Sequence, residues 1–411
     1  MDCRIVRGAE EIGGSCVEVR HEGRRLILDL GDRLAGSGGQ LPSTGGLTEP
    51  ADDLLGVVIT HSHPDHWGAL RQARESLPVW ASAATQGLWE VGRIFVGTDP
   101  PPQTNVRTFR PLEPFEAGPF RVTPVPVDHS AADAHALLVE AGGRTLLYTG
   151  DFRDDGSQPE RTAGLFAAAD HADAVLCEGT TVGRTGRSES ASSEADVARR
   201  LTAICRETSG LVLLWASGQN LGLLASAAAA AASSDRRLLI DVYAAEAARV
   251  CGRVDLAPDG ERIGVFLPAG QKSRVVRLNE TNVHDHVKAY RPCRVFPEEL
   301  PSVAGSTLML ARPSMVDELA GLGCLEGAVW VTSIWSGYLA RHPDLEPRLH
   351  DHGVSLHTVH ASGHASVEAL GRLIDESGSA LVVPIHTDRP DLAAGLSDRM
   401  VRKPDGEWWE V

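Results

Sequence analysis

No two of the seven cysteines in this 411-residue chain stand in C-x-x-C spacing, and Cys3, Cys16, Cys177, Cys205, Cys251, Cys293 and Cys324 are scattered along it. An odd, dispersed set excludes a disulfide framework and a zinc ribbon, and leaves the thiols as small buried hydrophobes. Long apolar runs are missing too. None reaches the roughly 18–20 residues of a membrane span, and the opening "MDCRIVRGAEE" lacks the basic-then-apolar layout of a signal peptide. A cytoplasmic protein with no membrane partner is expected. Basic charge is scarce: 39 Lys and Arg against 55 Asp and Glu give a net charge of -16. This balance argues against duplex nucleic acid held through the whole surface, but leaves room for a local basic groove and for metal ions in an acidic site. There is no internal repeat, and "EEIGGS" lacks the spacing and the lysine of a phosphate loop.

What is present is a globular composition, 42% hydrophobic and 23% charged, in a chain too long for one ordinary core. Two domains, or one domain with a large insertion, are expected. Short strand-like runs ("RRLILDLGD", "LLGVVIT", "LPVWAS", "FRVTPVPVDHS", "HALLVEA", "RTLLYTGD", "DAVLCEG") alternate with turns and with helical stretches such as "WGALRQARESL", which reads as an α/β layered architecture. A second regime opens near "VGRTGRSESASSEADVARRL", where hydroxyl and acidic residues precede a capped helix. It continues as strand then helix through "GLVLLWASGQN" and the alanine-rich "LGLLASAAAAAA", a packed helix by propensity. From "VSLHTVHASGHAS" to "ALVVPIHTDRP" the chain returns to strand, helix and strand. The boundaries implied are residues 1–183, 184–354 and 355–411.

The densest chemistry is "THSHPDHWGAL". Directly after an apolar strand, His61, His63, Asp65 and His66 fall within six positions. Zinc takes neutral imidazoles and carboxylates, and a loop leaving a strand can turn alternate side chains onto one ion. In H-x-H-x-D-H the first two histidines can serve one metal while the aspartate and last histidine turn toward a second. His129, Asp151 and His386 each end a further apolar run, where open α/β sheets gather functional groups. Singly, Asp151 could be a helix cap and His386 a turn residue; together they complete a two-metal set.

"THSHPDHWGAL", "DHS", "TGDFR" and "PIH" resemble, in order, the motifs of the metallo-β-lactamase fold. The resemblance implies one metal on His61, His63 and His129, a second on Asp65, His66 and His386, and Asp151 bridging, with two Zn²⁺ or alternatively Mn²⁺. "VLCEGT" (Glu178), "HASGHAS" (His364) and "PIH" (His386) are similar to the extra motifs of the beta-CASP nucleases, among them the RNase J enzymes. The fold implied is a metallo-β-lactamase αββα sandwich with an inserted α/β beta-CASP domain that closes over the site. Two divalent ions suit phosphodiester hydrolysis because they activate water, polarise a phosphoryl oxygen and stabilise an in-line transition state.

By the same resemblance Asp65, His364 and Glu178 are the catalytic residues. His364 binds the scissile phosphate or protonates the leaving oxygen, and Glu178 orients His364 or another histidine of the site. Ser362, Gly363, His364 and Ser366 form a phosphate-binding stretch, with backbone N–H groups after Ser362 at a helix start. The expectation is a ribonuclease acting on single-stranded RNA, with single-stranded DNA as the second candidate. The other readings are a hydrolase of a small thioester, lactone or lactam, and a non-catalytic RNA-processing scaffold. RNase J enzymes carry a further C-terminal domain that supports dimers and commonly read Gly-Glu after "PIH"; here Thr387-Asp388 follows and the chain stops at Val411. Arg184, Arg187, Lys272 and Arg312 are weaker candidates for phosphate contacts. "ASGQN" and "IWSGY", with Trp335 and Tyr338, are candidates for base stacking or, for Trp335, interdomain packing.

Overall fold

In the strand Arg24–Leu28, Leu26 and Leu28 belong to one apolar cluster while Ile27 belongs to another; Val58 and Val57 divide the same way in Leu54–Val58. Successive strand side chains point to opposite faces, so a strand apolar at every position is buried on both sides. The structure, a computed structural model, describes residues 1–34, 40–156, 158–184, 193–378 and 381–411. Contacts divide the chain into two units, Met1–Trp89 with Asp99–Thr185 and Gly363–Val411, and Glu90–Thr98 with Gly186–Ser362.

The first unit holds two mixed sheets. Across the first, the order is Trp409–Glu410, Asp2–Arg7, Cys16–His21, Arg24–Leu28, Leu54–Val58, Val79–Ser82 and Val106–Phe109. Across the second it is Leu381–Ile385, Ala174–Glu178, Arg144–Tyr148, Ala134–Ala141, Phe120–Val127 and Phe115–Ala117. The sheets face each other through Ile5, Val17, Val19, Leu26, Leu28 and Val58 on one side and Phe120, Val122, Val139, Leu146, Leu176 and Val383 on the other, all buried. The outer face of the first sheet buries Trp67 and Leu70, and that of the second buries the helices Pro159–Asp170 and Val367–Glu376 through Leu165, Ala369 and Leu373. The result is helix, sheet, sheet, helix.

One helical expectation is shortened. "WGALRQARESL" contributes only Trp67 to the four-residue helix Pro64–Trp67 and then forms a 3₁₀ turn, Gly68–Gln72. The backbone there bonds sideways instead of along itself, Asp32 N–H to Pro64 O at 2.9 Å and Ala69 N–H to Leu30 O at 3.1 Å, which ends the helix and ties it to the neighbouring loop.

The second unit is an all-parallel six-stranded sheet, ordered Ile263–Phe266, Arg237–Asp241, Thr307–Ala311, Val212–Trp215, Val329–Thr332 and Ser355–Thr358. Its two central strands, Thr307–Ala311 and Val212–Trp215, are buried throughout, as parallel strands covered by helices require. The helix Glu194–Glu207 starts on Ser193, which accepts from Asp196 N–H, and the alanine run is the helix Leu221–Ala232 capped by Asn220. Ser355–Thr358 pairs with Val329–Thr332, so this unit runs to Ser362, past the boundary read at residue 354, and Glu90–Thr98 groups with it. Strand pairing decides that boundary, and the composition of the stretch does not reveal it. Among the described residues no helix is long and apolar enough to cross a membrane.

Candidate metal centre

Every group read as a ligand sits just past the end of a strand of the first unit. His61 and His63 follow Leu54–Val58, Asp65 and His66 lie on the helix Pro64–Trp67, His129 follows Phe120–Val127, Asp151 follows Arg144–Tyr148, and His386 follows Leu381–Ile385. Side-chain atoms of His61, His63 and His129 converge within 4.8 Å of one another, as do those of Asp65, His66 and His386. Asp151 joins both neighbourhoods, once with His61 and His66 and once with Glu178, His364 and His386.

The orientation of each ring follows from what its far nitrogen does. Thr60 donates its hydroxyl to Asp29 Oδ2 at 2.8 Å, so at 3.0 Å it accepts from His61 Nδ1–H, and the bare Nε2 of His61 faces the cluster. His129 donates Nδ1–H to Gly363 O at 2.5 Å, which turns its Nε2 to within 3.2 Å of His63 Nδ1. His66 donates Nδ1–H to Asp29 Oδ2 at 2.7 Å and brings Nε2 to 3.3 Å from Asp151. The Thr180 hydroxyl stands 2.8 Å from His386 Nδ1, and His386 Nε2 lies 3.3 Å from Asp65 Oδ2. Second partners of this kind fix the tautomer of a ligating imidazole and aim its free lone pair.

Three buried atoms of the centre, His61 Nε2, His66 Nε2 and Asp151 Oδ1, make no hydrogen bond among the described residues. Leaving a buried polar atom unsatisfied costs about 1–3 kcal/mol. Bare imidazole nitrogens converging with carboxylate oxygens are the donor set a divalent cation takes, so the residues fit the metal that the fold implies.

Burial, and then the neighbouring His66 charge, hold His61 well below the ordinary histidine pKa. Burial likewise lowers His129, against the pull of Asp151, and brings His63 down to about 4. His66 runs the other way: burial opposes its charge, but Asp151 and Asp29 outweigh burial and raise it well above the ordinary value. His364 is pulled down by burial and lifted further by Glu178 and Asp151, to about 9.

His364 sits on the rim of the centre. Its Nδ1 is 3.1 Å from Glu178 Oε2 and 3.6 Å from Asp151 Oδ2. Glu178 is itself fixed, accepting the Phe152 N–H at 2.8 Å. Ser366 differs from its sequence reading: the helix begins at Val367 with Ser366 as its cap, four residues after Ser362. Its N–H and hydroxyl are taken by Asp154 at 3.2 and 3.3 Å, and Arg372 also holds that carboxylate. Gly363 serves the centre through its carbonyl. Ser362 is the last residue of the second unit.

Of the cations considered for phosphate, Arg312 pairs with Asp241, Lys272 is exposed, and Arg187 lies outside the described residues. Gln219 donates to the Tyr243 hydroxyl at 2.7 Å, and Trp335 meets Tyr338 edge-on.

Sequence reading missed Asp29, Thr60, Tyr148 and Thr180. Asp29 is fully buried at φ 60° and accepts from Thr60 N–H, the Thr60 hydroxyl, His66 and the Tyr148 hydroxyl. It ends the apolar run "RRLILD", the same signal that picked out Asp151 and His386.

Residues 24–206 match a family model described as a beta-lactamase superfamily domain. The chain is 26% identical over 376 residues to the Ribonuclease J of Sinorhizobium meliloti, covering 89% of this chain and 63% of that protein. To the Ribonuclease J of Mycoplasma pneumoniae it is 24% identical over 408 residues, 92% of this chain and 66% of that protein. The chain thus spans just under two thirds of the length of these curated relatives. In fold it is similar to the crystal structure of a protein of unknown function from Enterococcus faecalis V583, with a TM-score of 0.79, 18% identity and 99% of each chain covered.

Proposed function

We propose that this chain, which carries a metallo-β-lactamase superfamily domain and is RNase J-like over most of its length, hydrolyses phosphodiester bonds of single-stranded RNA with two divalent ions. The observation that carries the reading is His364, a polar group beside the ligand sets yet held by Glu178 and outside both proposed metal triads. We read His61, His63 and His129 as one site, Asp65, His66 and His386 as the other, and Asp151 as the group they share, with Zn²⁺ the first candidate and Mn²⁺ the second. Residues of the second unit would form the beta-CASP insertion. When bound, the ions supply Lewis acidity and an activated water for in-line displacement.

The chain's own groups supply the rest. Asp29, Thr60, Gly363 and Thr180 hold the imidazole rings with one nitrogen turned into the centre, so the ligands need no rearrangement of their side chains. His364, kept cationic by Glu178 and Asp151, attracts a phosphate oxygen and holds at Nε2 a proton for the leaving oxygen; Glu178 keeps the ring turned. Asp65, held in its ionised form by His386 and His66 against the cost of burial, accepts a hydrogen bond from an approaching water and orients it.

The test is a single-stranded RNA labelled at its 3′ end, bearing a 5′-monophosphate or a 5′-hydroxyl, with Zn²⁺ or Mn²⁺ added. Stepwise shortening that favours the monophosphate identifies a 5′–3′ exonuclease, and discrete internal cuts identify an endonuclease. A metal-loaded protein that leaves RNA intact but turns over a thioester, lactone or lactam would overturn the reading. His364→Ala should keep its metal content and lose hydrolysis by about 100-fold or more, the contribution of a positioned acid; loss of the ions in this variant would show that His364 is a ligand.

A further inference from the structure

The loops that carry Asp65 and His386 are both tied to the end of the first strand, Asp2–Arg7, the Asp65 side through the buried cation Arg7 and His386 through the carbonyl of the next residue, Gly8. Arg7 is 4% exposed, and its guanidinium points into the protein. Its Nε donates to Gly14 O at 2.7 Å, one terminal nitrogen to Gln40 O at 2.8 Å and the other to Gly31 O. Among the described residues no carboxylate is hydrogen-bonded to Arg7, and three main-chain carbonyls take a charge that burial makes costly.

Two of those carbonyls, Gly14 and Gly31, belong to the segments that grip Asp65. Ser15 N–H donates to Asp65 O at 3.1 Å, Gly31 N–H to Ser15 O at 3.0 Å, Leu30 N–H to His66 O at 2.8 Å and Asp32 N–H to Pro64 O at 2.9 Å. Gly31 approaches so closely that a Cβ there would lie 1.6 Å from Asp65 O. Gly13, at φ 82°, lies between Leu34 and the carboxylate, and a Cβ would fall 2.7 Å from Leu34 Cγ, 3.2 Å from Asp65 Cβ and 3.3 Å from Asp65 Oδ2. Next to Arg7, Gly8 O accepts the His386 N–H at 2.8 Å, which holds a residue at φ 55° that side chains rarely adopt. The first ligand set is secured elsewhere: His61 through Thr60 and His129 through Gly363.

We propose that Arg7 is a positioning residue for the second ligand set, its guanidinium clasping the loops of Gly14 and Gly31 so that Asp65 and His386 meet. The inference rests on the two-metal reading for its consequence on ions, though not for its consequence on loop order. Arg7 acts through backbone and touches neither substrate nor metal.

Two measurements on Arg7→Met, Arg7→Lys and Gly13→Ala test it. Gly13→Ala keeps the clasp but displaces Leu34 and crowds Asp65, and Arg7→Lys serves if Arg7→Met fails to fold. In metal-free protein, hydrogen exchange should rise in Arg7→Met over residues 8–15, 29–32, 64–66 and 386, and stay unchanged over 120–129; Arg7→Lys should recover part of the protection. On titration with Zn²⁺, one ion should lose about 10–100-fold in affinity in Arg7→Met and Gly13→Ala while the other is unchanged, the range found when support of a ligand is removed. Exchange that rises everywhere, or nowhere, overturns the role of Arg7 whatever the metal content. Wild type holding fewer than two ions would instead overturn the two-metal reading and leave the exchange result to decide on Arg7. Equal weakening of both ions in both variants would also sink the proposal.

Discussion

The two ligand sets lie side by side but are built on opposite electrostatics. His61, His63 and His129 are three imidazoles whose hydrogen-bonded supports are neutral, a threonine hydroxyl and a glycine carbonyl, and burial keeps the rings uncharged. Asp65, His66 and His386 combine a carboxylate with a histidine gripped between Asp29 and Asp151, which hold a proton on it. The difference teaches that a ligand set is defined as much by what stands behind it as by its own residues. The first set is ready for a cation at neutral pH, and the second must release a proton to take one.

The sharpest way to break the contrast is to remove what the sets share. Asp151→Asn keeps the shape of the side chain and removes its charge. Both ions should be lost and hydrolysis should fall to background, as read by elemental analysis and RNA cleavage. Retention of one ion at full affinity would mean that Asp151 serves a single site.

A smaller effect sharpens it. Calorimetric Zn²⁺ titrations at pH 7 in buffers of different ionisation enthalpy should show about one proton released on filling the second set and none on filling the first. The sign for stability follows. The depressed histidines stay neutral in the folded metal-free protein while the unfolded chain protonates near pH 6.5, so their effect is lost stability as pH falls from about 6.5 toward 4. His66, raised, adds stability that is full below about pH 6.5 and is lost as pH climbs through its folded value. Equal proton release from both sets would erase the distinction.

The smallest effect comes from Thr180→Val, which removes only the hydroxyl behind His386. Stability should fall by about 1 kcal/mol, and the affinity of the second set by a few-fold. An unchanged second-site affinity would show that the backbone tie to Gly8 alone orients His386.

Much of the proposed centre could be read from residue order because its candidate ligands follow a local rule: a polar residue of metal-binding type placed where an apolar run stops. His61, His63, Asp65, His66, His129, Asp151 and His386 all meet it. Asp29 meets it too and passed unnoticed, because its partners Thr60, His66 and Tyr148 stand 31, 37 and 119 positions away. The Ser366 seat was misread for a related reason, since Asp154 reaches it across 212 positions. The two-regime organisation was legible as well, but the edge of the second unit was not, because Ser355–Thr358 joins its sheet by hydrogen bonds that its mixed polar sequence does not announce.

By itself, then, the sequence determined the layered α/β class, the donor residues and their order along the chain, because hydrophobic period and ligand chemistry are local properties. Only the tertiary structure decided which ring nitrogen each donor presents, and that Asp29 and the buried Arg7 stand behind them. Those depend on pairings between distant strands, and a hydrogen bond closed across a hundred residues leaves no mark on either neighbourhood.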